Sequence, residues 1–388
     1  MAAAGDRPRN FGRPRLSRHK LSFSLPVAPH LGGQFQSLPK PTGKPPFHLP
    51  LADILPKSQM EAIAKKGRLV FHIGGDTGGV NFPINQQLVV DHMERDFKHD
   101  PKEPAADPAF LYVLGDCVYF NGQGAEYFPQ FYRPYEHYLA PIFAVPGNHD
   151  GDPKAPEKSL DAFMRNFCAK KPIITPDAGE GSRDAMTQPN AYWTLETPLV
   201  NLVGLYTNVP EHGRLDEQQI AWLVSELKGT PSSKPLFLTM HHPIYSADDH
   251  HAGSGYMRGV LEKAVKQAGR RPDIVFAGHV HNYQRFTRVV DGRQVPYIVA
   301  GAGGYWHLHR IAPVNGERLI VPYRLVEDGN DVTLERFVDD RHGFLRVEVT
   351  PKAVFGKYYT VPRPQESWSA DARLVDSFQL NLQTHKLV

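Results

Sequence analysis

The sequence predicts an α/β fold, because strand-like and helix-like segments alternate along much of the chain. Short apolar runs typical of buried strands occupy Arg68–Asp76, Phe110–Asp116 and Ala140–Asp150. Between the first two, Asn85–Phe97 has apolar residues at near-helical spacing. Each strand-like run ends in polar residues, Gly-Asp in the first two and Gly-Asn-His-Asp in the third. Since open α/β sheets bind ligands at the carboxyl ends of their strands, these polar residues mark a candidate site.

The alternation continues through the second half of the chain. Trp193–Thr207 has the pattern of two strands, and Leu215–Leu227 has that of an amphipathic helix. Pro235–His242 and Asp273–His281 are two further strand-like runs that end in histidines. Alternation along the second run would place its two histidines on one face. These runs therefore add nitrogen donors to the candidate site.

Composition excludes several classes of protein. The chain has 388 residues, is 41% hydrophobic and carries a formal net charge of +3, so nothing global indicates nucleic acid or an anionic membrane as a partner. Cys117 and Cys168 are its two cysteines, which argues against a disulfide framework or a thiolate metal site. No apolar run approaches the roughly 20 residues that span a bilayer. We therefore expect no membrane span.

The N-terminal region differs in composition from the rest. Residues 1–60 are rich in proline and basic side chains, which suits an extended arm across the fold or a disordered tail. The basic start is not followed by an apolar stretch, so it does not read as a secretory signal. We expect a cytoplasmic location by default, with periplasmic, secreted or organellar locations as alternatives.

The polar side chains at the strand ends share one chemistry. They are Asp76, Asp116, Tyr119, Asn148, His149, His241, His279 and His281. All are oxygen or nitrogen donors, and a set of seven or more exceeds what one transition metal usually accepts. Two metal ions bridged by one carboxylate would use such a set, and paired ions of this kind form the hydrolytic centre of phosphatases.

Five short blocks carry these donors in a fixed order along the chain. They are GDTG at 75–78, GDCVY at 115–119, GNHD at 147–150, LTMH at 238–241 and GHVH at 278–281. The set resembles the calcineurin-like metallophosphoesterases and, within them, the purple acid phosphatases. The resemblance implies a four-layer sandwich of two facing mixed β-sheets flanked by helices. We expect a catalytic domain at 61–350, between the arm at 1–60 and a C-terminal extension at 351–388 that packs on this domain.

The resemblance assigns the matched donors to two metal sites. A ferric ion would be held by Asp76, Asp116, Tyr119 and His281, and a divalent ion by Asn148, His241 and His279, with Asp116 bridging the two. The divalent ion would be Fe(II), Zn(II) or Mn(II). His149 would face the substrate rather than the metals. In the family a further histidine pair follows the fourth block, and His250 and His251 stand there, so we expect at least one of them to contact phosphate.

Other positions are ambiguous from the sequence. His241 is preferred to its neighbour His242 as a ligand because it aligns with the fourth block. His307 and His309 match no ligand of the family and are interpreted as rim or core residues.

Gly78 stands where most calcineurin-like enzymes carry a metal-binding histidine, and the second block supplies Tyr119 instead. A bound phenolate adds negative charge, and hard oxygen donors suit a trivalent ion. We expect the glycines around Asp76 to clear room beside that ion, although a tight turn with Asp76 capping a helix would also use them.

The leading hypothesis is a binuclear-metal phosphomonoesterase of the acid phosphatase type that acts on a phosphorylated small molecule. Metal-bound hydroxide would attack phosphorus, and a histidine would protonate the leaving group. A phosphodiesterase on the same metal centre is the first alternative. A non-catalytic phosphate- or metal-binding module is the second, disfavoured because every matched donor is retained.

Overall fold

Two mixed β-sheets form the body of the fold. The computed structural model describes residues 33–325 and 331–388. The strands are β1 (His48–Pro50), β2 (Leu69–Gly74), β3 (Leu111–Val113), β4 (Ile142–Ala144), β5 (Trp193–Glu196), β6 (Asn201–Gly204), β7 (Leu236–Met240), β8 (Ile274–Ala277), β9 (Tyr283–Val290), β10 (Arg293–Ala300), β11 (Tyr323–Leu325), β12 (Asp331–Val338), β13 (Gly343–Val349), β14 (Ala353–Thr360), β15 (Arg373–Asn381) and β16 (Lys386–Leu387). The helices are α1 (Lys57–Lys66), α2 (Ile84–Glu94), α3 (Asn148–Gly151), α4 (Asp161–Phe167), α5 (Glu217–Gly229) and α6 (Gly255–Ala268).

The two sheets pack face to face. One has the strand order β1-β5-β6-β7-β8-β10-β9-β12-β11, and the other has the order β16-β15-β14-β13-β2-β3-β4. Across the core, Thr239 of β7 donates a hydrogen bond to the hydroxyl of Tyr112 of β3, with 3.0 Å between the oxygens. Tyr283 of β9 stacks on Tyr358 of β14 with ring centroids 3.8 Å apart. This confirms the sandwich of two mixed sheets that the resemblance implied.

Parallel strands in both sheets bring several carboxyl ends together. Strands β2, β3 and β4 run parallel to one another in one sheet, as do β6, β7 and β8 in the other. Their residues are almost all buried, which explains why these segments read as continuous apolar runs rather than as alternating ones. The loops that leave these strands therefore meet at one end of the sandwich.

The predicted elements are present, with one difference that affects the site. The strands predicted between residues 68 and 281 correspond to β2 to β8, and the two predicted helices correspond to α2 and α5. Strand β8 ends at Ala277, so His279 and His281 lie in the following loop, where His279 has a left-handed backbone with φ of 67°. The prediction that strand alternation places both histidines on one face was therefore wrong. A tight turn brings these two histidines to the site.

Both terminal regions join the sheets where the structure describes them. Strand β1, in the predicted arm, pairs in parallel with β5, and the indole of Trp222 donates a hydrogen bond to the carbonyl of Pro46 at 2.7 Å. At the other end, β14, β15 and β16 extend the sheet that contains β2. Residues 1–32 of the predicted arm lie outside the described residues, and the bounds of the three predicted segments remain predictions.

Helices in the described part of the chain fall short of the length and apolarity that a membrane crossing needs.

Candidate metal centre

Two clusters of the predicted ligands lie side by side at the carboxyl ends of the strands. The first joins Asp76, after β2, to Tyr119, after β3, and to His281, after β8. The Tyr119 hydroxyl lies 3.3 Å from Oδ1 of Asp76 and 3.4 Å from Nε2 of His281. The same Nε2 lies 3.5 Å from Oδ1 of Asp76. All three side chains are buried, so this cluster presents oxygen and nitrogen donors away from bulk water.

The second cluster joins Asn148, the first residue of α3, to His241 and His279. Oδ1 of Asn148 lies 2.9 Å from Nε2 of His241 and 3.0 Å from Nδ1 of His279. Asp116 links this cluster to the first. Its Oδ2 lies 3.3 Å from Nε2 of His241, and ligand atoms of Asp76, Asp116 and His241 all lie within 4.8 Å of one another. This position suits the bridging role predicted for Asp116.

The donor atoms face one another in a way that a cation would satisfy. Nδ1 of His241 lies 2.8 Å from the carbonyl oxygen of Leu114, which can only accept, so the ring proton is assigned to Nδ1. On the neutral ring, Nε2 then directs its lone pair at Oδ1 of Asn148, itself an acceptor. Nδ1 of His281 likewise lies 3.1 Å from the carbonyl oxygen of His307, which leaves Nε2 facing Asp76. A metal ion between such donors fits this arrangement, and the backbone carbonyls orient both rings for it.

Burial makes the negative charge of these carboxylates costly. Burial raises the pKa of Asp76 to about 7. The charge of His241 lowers this pKa, and the charge of Asp116 raises it further. Burial lowers the pKa of His241, but the charges of Asp116 and Asp76 outweigh it and raise this pKa to about 9. Without a cation, the cluster therefore holds protons at neutral pH. A bound metal ion would take their place.

Three of the predicted ligands have left-handed backbones. The φ angles of Asp76, Asp116 and His279 are 57°, 52° and 67°. Such a conformation costs about 1–2 kcal/mol for a residue with a Cβ atom. The backbone of Gly147 packs closely against the side chain of Asp116, since a Cβ atom at Gly147 would lie 2.0 Å from Oδ1 of Asp116. Strain of this kind concentrates at functional sites, where it aims a side chain that a regular strand end would direct elsewhere.

The space beside Gly78 is taken by the ring of Tyr119. A Cβ atom at Gly78 would lie 2.7 Å from Cδ2 of Tyr119 and 2.6 Å from Oε1 of Gln130. Gln130 also holds the tyrosine backbone, since it accepts from the Tyr119 amide and donates to the Tyr119 carbonyl, both at 2.9 Å. We expected the glycines to clear room beside the metal ion. At position 78 the room instead accommodates the ring of Tyr119.

Gly78→Ala should therefore displace Tyr119 and destabilise the fold. Overpacking of a closed site typically costs about 1–3 kcal/mol, measured as the free energy of unfolding in urea. Gly259→Ala is the matched control, because a Cβ atom there meets nothing within 4 Å and the residue lies inside helix α6. Equal stability of the Gly78 variant and the wild type would contradict the packing described here.

His149 lies beside the ligand clusters at the edge of the site. Its backbone amide donates to Oδ1 of Asp116 at 2.9 Å, and its ring Nδ1 lies 2.8 Å from the carbonyl oxygen of Phe120. The ring is partly exposed, and its centroid is 4.7 Å from that of Tyr119. Nδ1 is thus engaged by the protein, and Nε2 is the nitrogen that can meet a substrate.

Asp150 ties two of the site loops together, which sequence reasoning missed. Its buried carboxylate accepts from the backbone amides of Gly147 at 2.8 Å, Cys117 at 3.1 Å and Val118 at 3.3 Å. The aspartate was visible in the third block. Its role was not, because the bonds reach a loop more than thirty residues away.

The predicted histidine pair divides between two environments. The ring of His251 lies 4.4 Å from that of His279, and its Nδ1 pairs with Glu211. Oε1 of Glu211 also lies 3.4 Å from Nε2 of His279. His250 is largely exposed and stacks on His309 at 4.6 Å. The structure thus brings His251 to the site, together with Glu211, whose loop carries no recognisable motif.

The remaining histidines also have defined places. Nδ1 of His242 lies 2.7 Å from the hydroxyl oxygen of Thr207, while its neighbour His241 faces the ligands. His309 is buried, and its ring lies 4.4 Å from that of His281, while His307 is exposed. His309 therefore packs directly against His281, a predicted ligand.

Comparisons with known proteins identify the family of this chain. A model of the calcineurin-like phosphoesterase family matches residues 70–283, more than half of the chain. The chain belongs to this family.

Among curated relatives, purple acid phosphatase 23 of Arabidopsis thaliana is 26% identical over 261 residues, which are 58% of this chain and 51% of the relative. A probable cyclic nucleotide phosphodiesterase of Rhodopseudomonas palustris is 28% identical over 182 residues, 45% of this chain and 57% of that protein. The chain thus spans about half the length of these relatives.

The fold is also similar to a solved structure. A purple acid phosphatase from yellow lupin seeds superimposes with a TM-score of 0.56 and 17% identity, covering 81% of this chain and 54% of that one. At this identity the likeness concerns the fold, which is that of two mixed sheets flanked by helices.

Proposed function

We propose that this chain hydrolyses phosphate monoesters at a centre of one ferric and one divalent metal ion. One observation carries the proposal: donors from separate strand-end loops converge until each lies within 2.9–3.5 Å of another. Buried acceptors that face one another need a proton or a cation between them, and a metal ion would fill that place here. Similarity to purple acid phosphatases supports the choice of phosphate esters.

The two clusters suggest the division of ligands between the ions. The ferric ion would be held by Asp76, Tyr119 and His281. The divalent ion would be Fe(II), Zn(II) or Mn(II) and would be held by Asn148, His241 and His279. Asp116 would bind both ions. When bound, such a pair supplies charge stabilisation for phosphate oxygens and a water of lowered pKa. The phenol of Tyr119 and the two carboxylates are hard donors, which favours a trivalent ion on their side.

Two side chains of the protein would then act on the substrate. With Nδ1 donating to the carbonyl of Phe120, a doubly protonated His149 can donate from Nε2 to the leaving alkoxide. His251, oriented through Nδ1 by Glu211, can present Nε2 to a phosphate oxygen. Glu211 is thus a positioning residue.

His149→Ala should slow the hydrolysis of alkyl phosphates by about 10²-fold, the lower end of what general-acid catalysis contributes. The loss should shrink for p-nitrophenyl phosphate, because its leaving group needs no proton. Both metals should be retained, since the amide that binds Asp116 is backbone and survives the substitution. Steady-state rates on the two esters and metal analysis check this. A variant that purified without metal would rule out the assigned role.

A phosphodiesterase on the same centre is the second candidate. The similarity to a probable cyclic nucleotide phosphodiesterase favours it. Rates on p-nitrophenyl phosphate and bis(p-nitrophenyl) phosphate, measured side by side on the iron- and zinc-loaded protein, distinguish the two. Faster turnover of the monoester supports the proposal. Faster turnover of the diester supports the second candidate, and no turnover of either contradicts both.

A further inference from the structure

Three aromatic side chains border the candidate metal centre. Phe120 follows Tyr119 in the loop after β3, and Tyr305 and Trp306 lie in the loop after β10. Phe120 is 45% exposed and Trp306 is 43% exposed. We call these three residues the aromatic wall. Single exposed aromatics are common on proteins, whereas neighbouring ones at the edge of a site indicate a binding surface.

The aromatic wall begins at the predicted ligands and ends in solvent. The ring of Tyr305 lies 4.3 Å from that of Tyr119 and 4.3 Å from that of His281. The ring centroid of Tyr305 lies 6.5 Å from that of Phe120 and 6.2 Å from that of Trp306. A group attached to a phosphate held at the metals would therefore emerge along these rings.

The central residue of the wall is held in place by its backbone. The amide of Tyr305 donates to the carbonyl of Asp76 at 2.9 Å. Its own carbonyl lies 2.8 Å from Nε2 of His342. Phe120 is fixed in turn, since its carbonyl oxygen accepts from His149. The backbones of Tyr305 and Phe120 are thus held in place before any substrate binds, which lowers the entropy cost of using their rings.

We infer that the aromatic wall binds a planar aromatic ring in the organic part of the ester, so that aryl phosphates are preferred to alkyl phosphates. This rests on the proposed phosphoesterase function. Offset or edge-to-face contacts between aromatic rings typically contribute about 0.5–1.5 kcal/mol beyond the area they bury, which corresponds to roughly 2- to 13-fold in affinity. A short alkyl group cannot make these contacts.

Phenylphosphonate and methylphosphonate test the inference, because both carry the phosphonate group and neither has an ester bond to hydrolyse. Their dissociation constants are measured by calorimetry on the iron- and zinc-loaded protein. Trp306→Ala and Phe120→Ala are compared with Trp368→Ala. Trp368 is a matched control, since it is 47% exposed and bonds to Pro364 and Arg95, away from the site.

We expect phenylphosphonate to bind the wild type about tenfold more tightly than methylphosphonate. Trp306→Ala and Phe120→Ala should each reduce this preference about threefold or more and leave methylphosphonate binding unchanged, whereas Trp368→Ala should change neither. Equal binding of the two phosphonates by the wild type, or an unchanged preference in both wall variants, would overturn the inference alone. If neither phosphonate nor inorganic phosphate binds, the proposed function itself fails.

Discussion

Asp116→Asn should remove both metal ions together and lower phosphomonoester hydrolysis by at least about 10³-fold. The carboxylate of Asp116 approaches both ligand clusters, within 4.8 Å of Asp76 on one side and 3.3 Å from His241 on the other. A neutral amide is a poor bridging ligand for two cations. Loss of metal-ion stabilisation of the transition state amounts to several kcal/mol, and each 1.36 kcal/mol is tenfold in rate.

The substitution is suited to this question because it changes charge and little else. Asparagine tolerates the left-handed backbone at position 116 better than most residues, so the turn should survive. An amide oxygen can still accept from the backbone of His149. Metal content by elemental analysis, rates and circular dichroism give the answer, with the exposed Asp371→Asn as control. Loss of one metal with full occupancy of the other would count against the bridging role.

Tyr119→Phe should abolish the colour of the iron-loaded protein. A phenolate bound to ferric iron absorbs visible light because electron density moves from ligand to metal. Phenylalanine keeps the ring that packs on Gly78 and Tyr305, so the fold should be retained. The lost hydroxyl contacts Asp76 and His281, and its removal should cost about 1 kcal/mol of stability.

Visible absorption spectra with iron determination check this prediction. Tyr305→Phe is the matched control, since its ring lies 4.3 Å from that of Tyr119 and the resemblance does not assign it as a ligand. The control should keep its colour, and the Tyr119 variant should lose it and hold iron less firmly. An iron-replete wild type without a visible band would exclude a ferric–tyrosinate centre.

The strands that lead into the site could be predicted because they are short, buried and parallel. Such strands read as apolar runs whatever surrounds them, and β2, β3 and β4 were visible for this reason. The residues at which these strands end could not be predicted from the sequence. His279 seemed to continue a strand, whereas a left-handed turn after Ala277 carries it, and local sequence does not reveal such a turn.

The predicted ligands could be identified from motifs, but the residues that position them could not. Asp150 and Gln130 hold the site loops through hydrogen bonds to backbone atoms, and those bonds exist only in the folded chain. Glu211 and Tyr305 lie outside the five blocks, and the pairing of β6, β7, β8 and β10 in one sheet brings their loops to His251 and His281. A metal ligand can be predicted from its own residue type and motif, whereas a residue that positions a ligand can be identified only from its contacts in the folded chain.

The number of metal ions required for activity tests the central claim most directly. Metal-free protein is loaded with graded amounts of iron and zinc, and bound metal is compared with the rate on p-nitrophenyl phosphate. If the two clusters hold one ion each, the rate should reach its maximum at two ions per chain. A maximum at one ion per chain, or an equal rate in the metal-free protein, would contradict the binuclear centre.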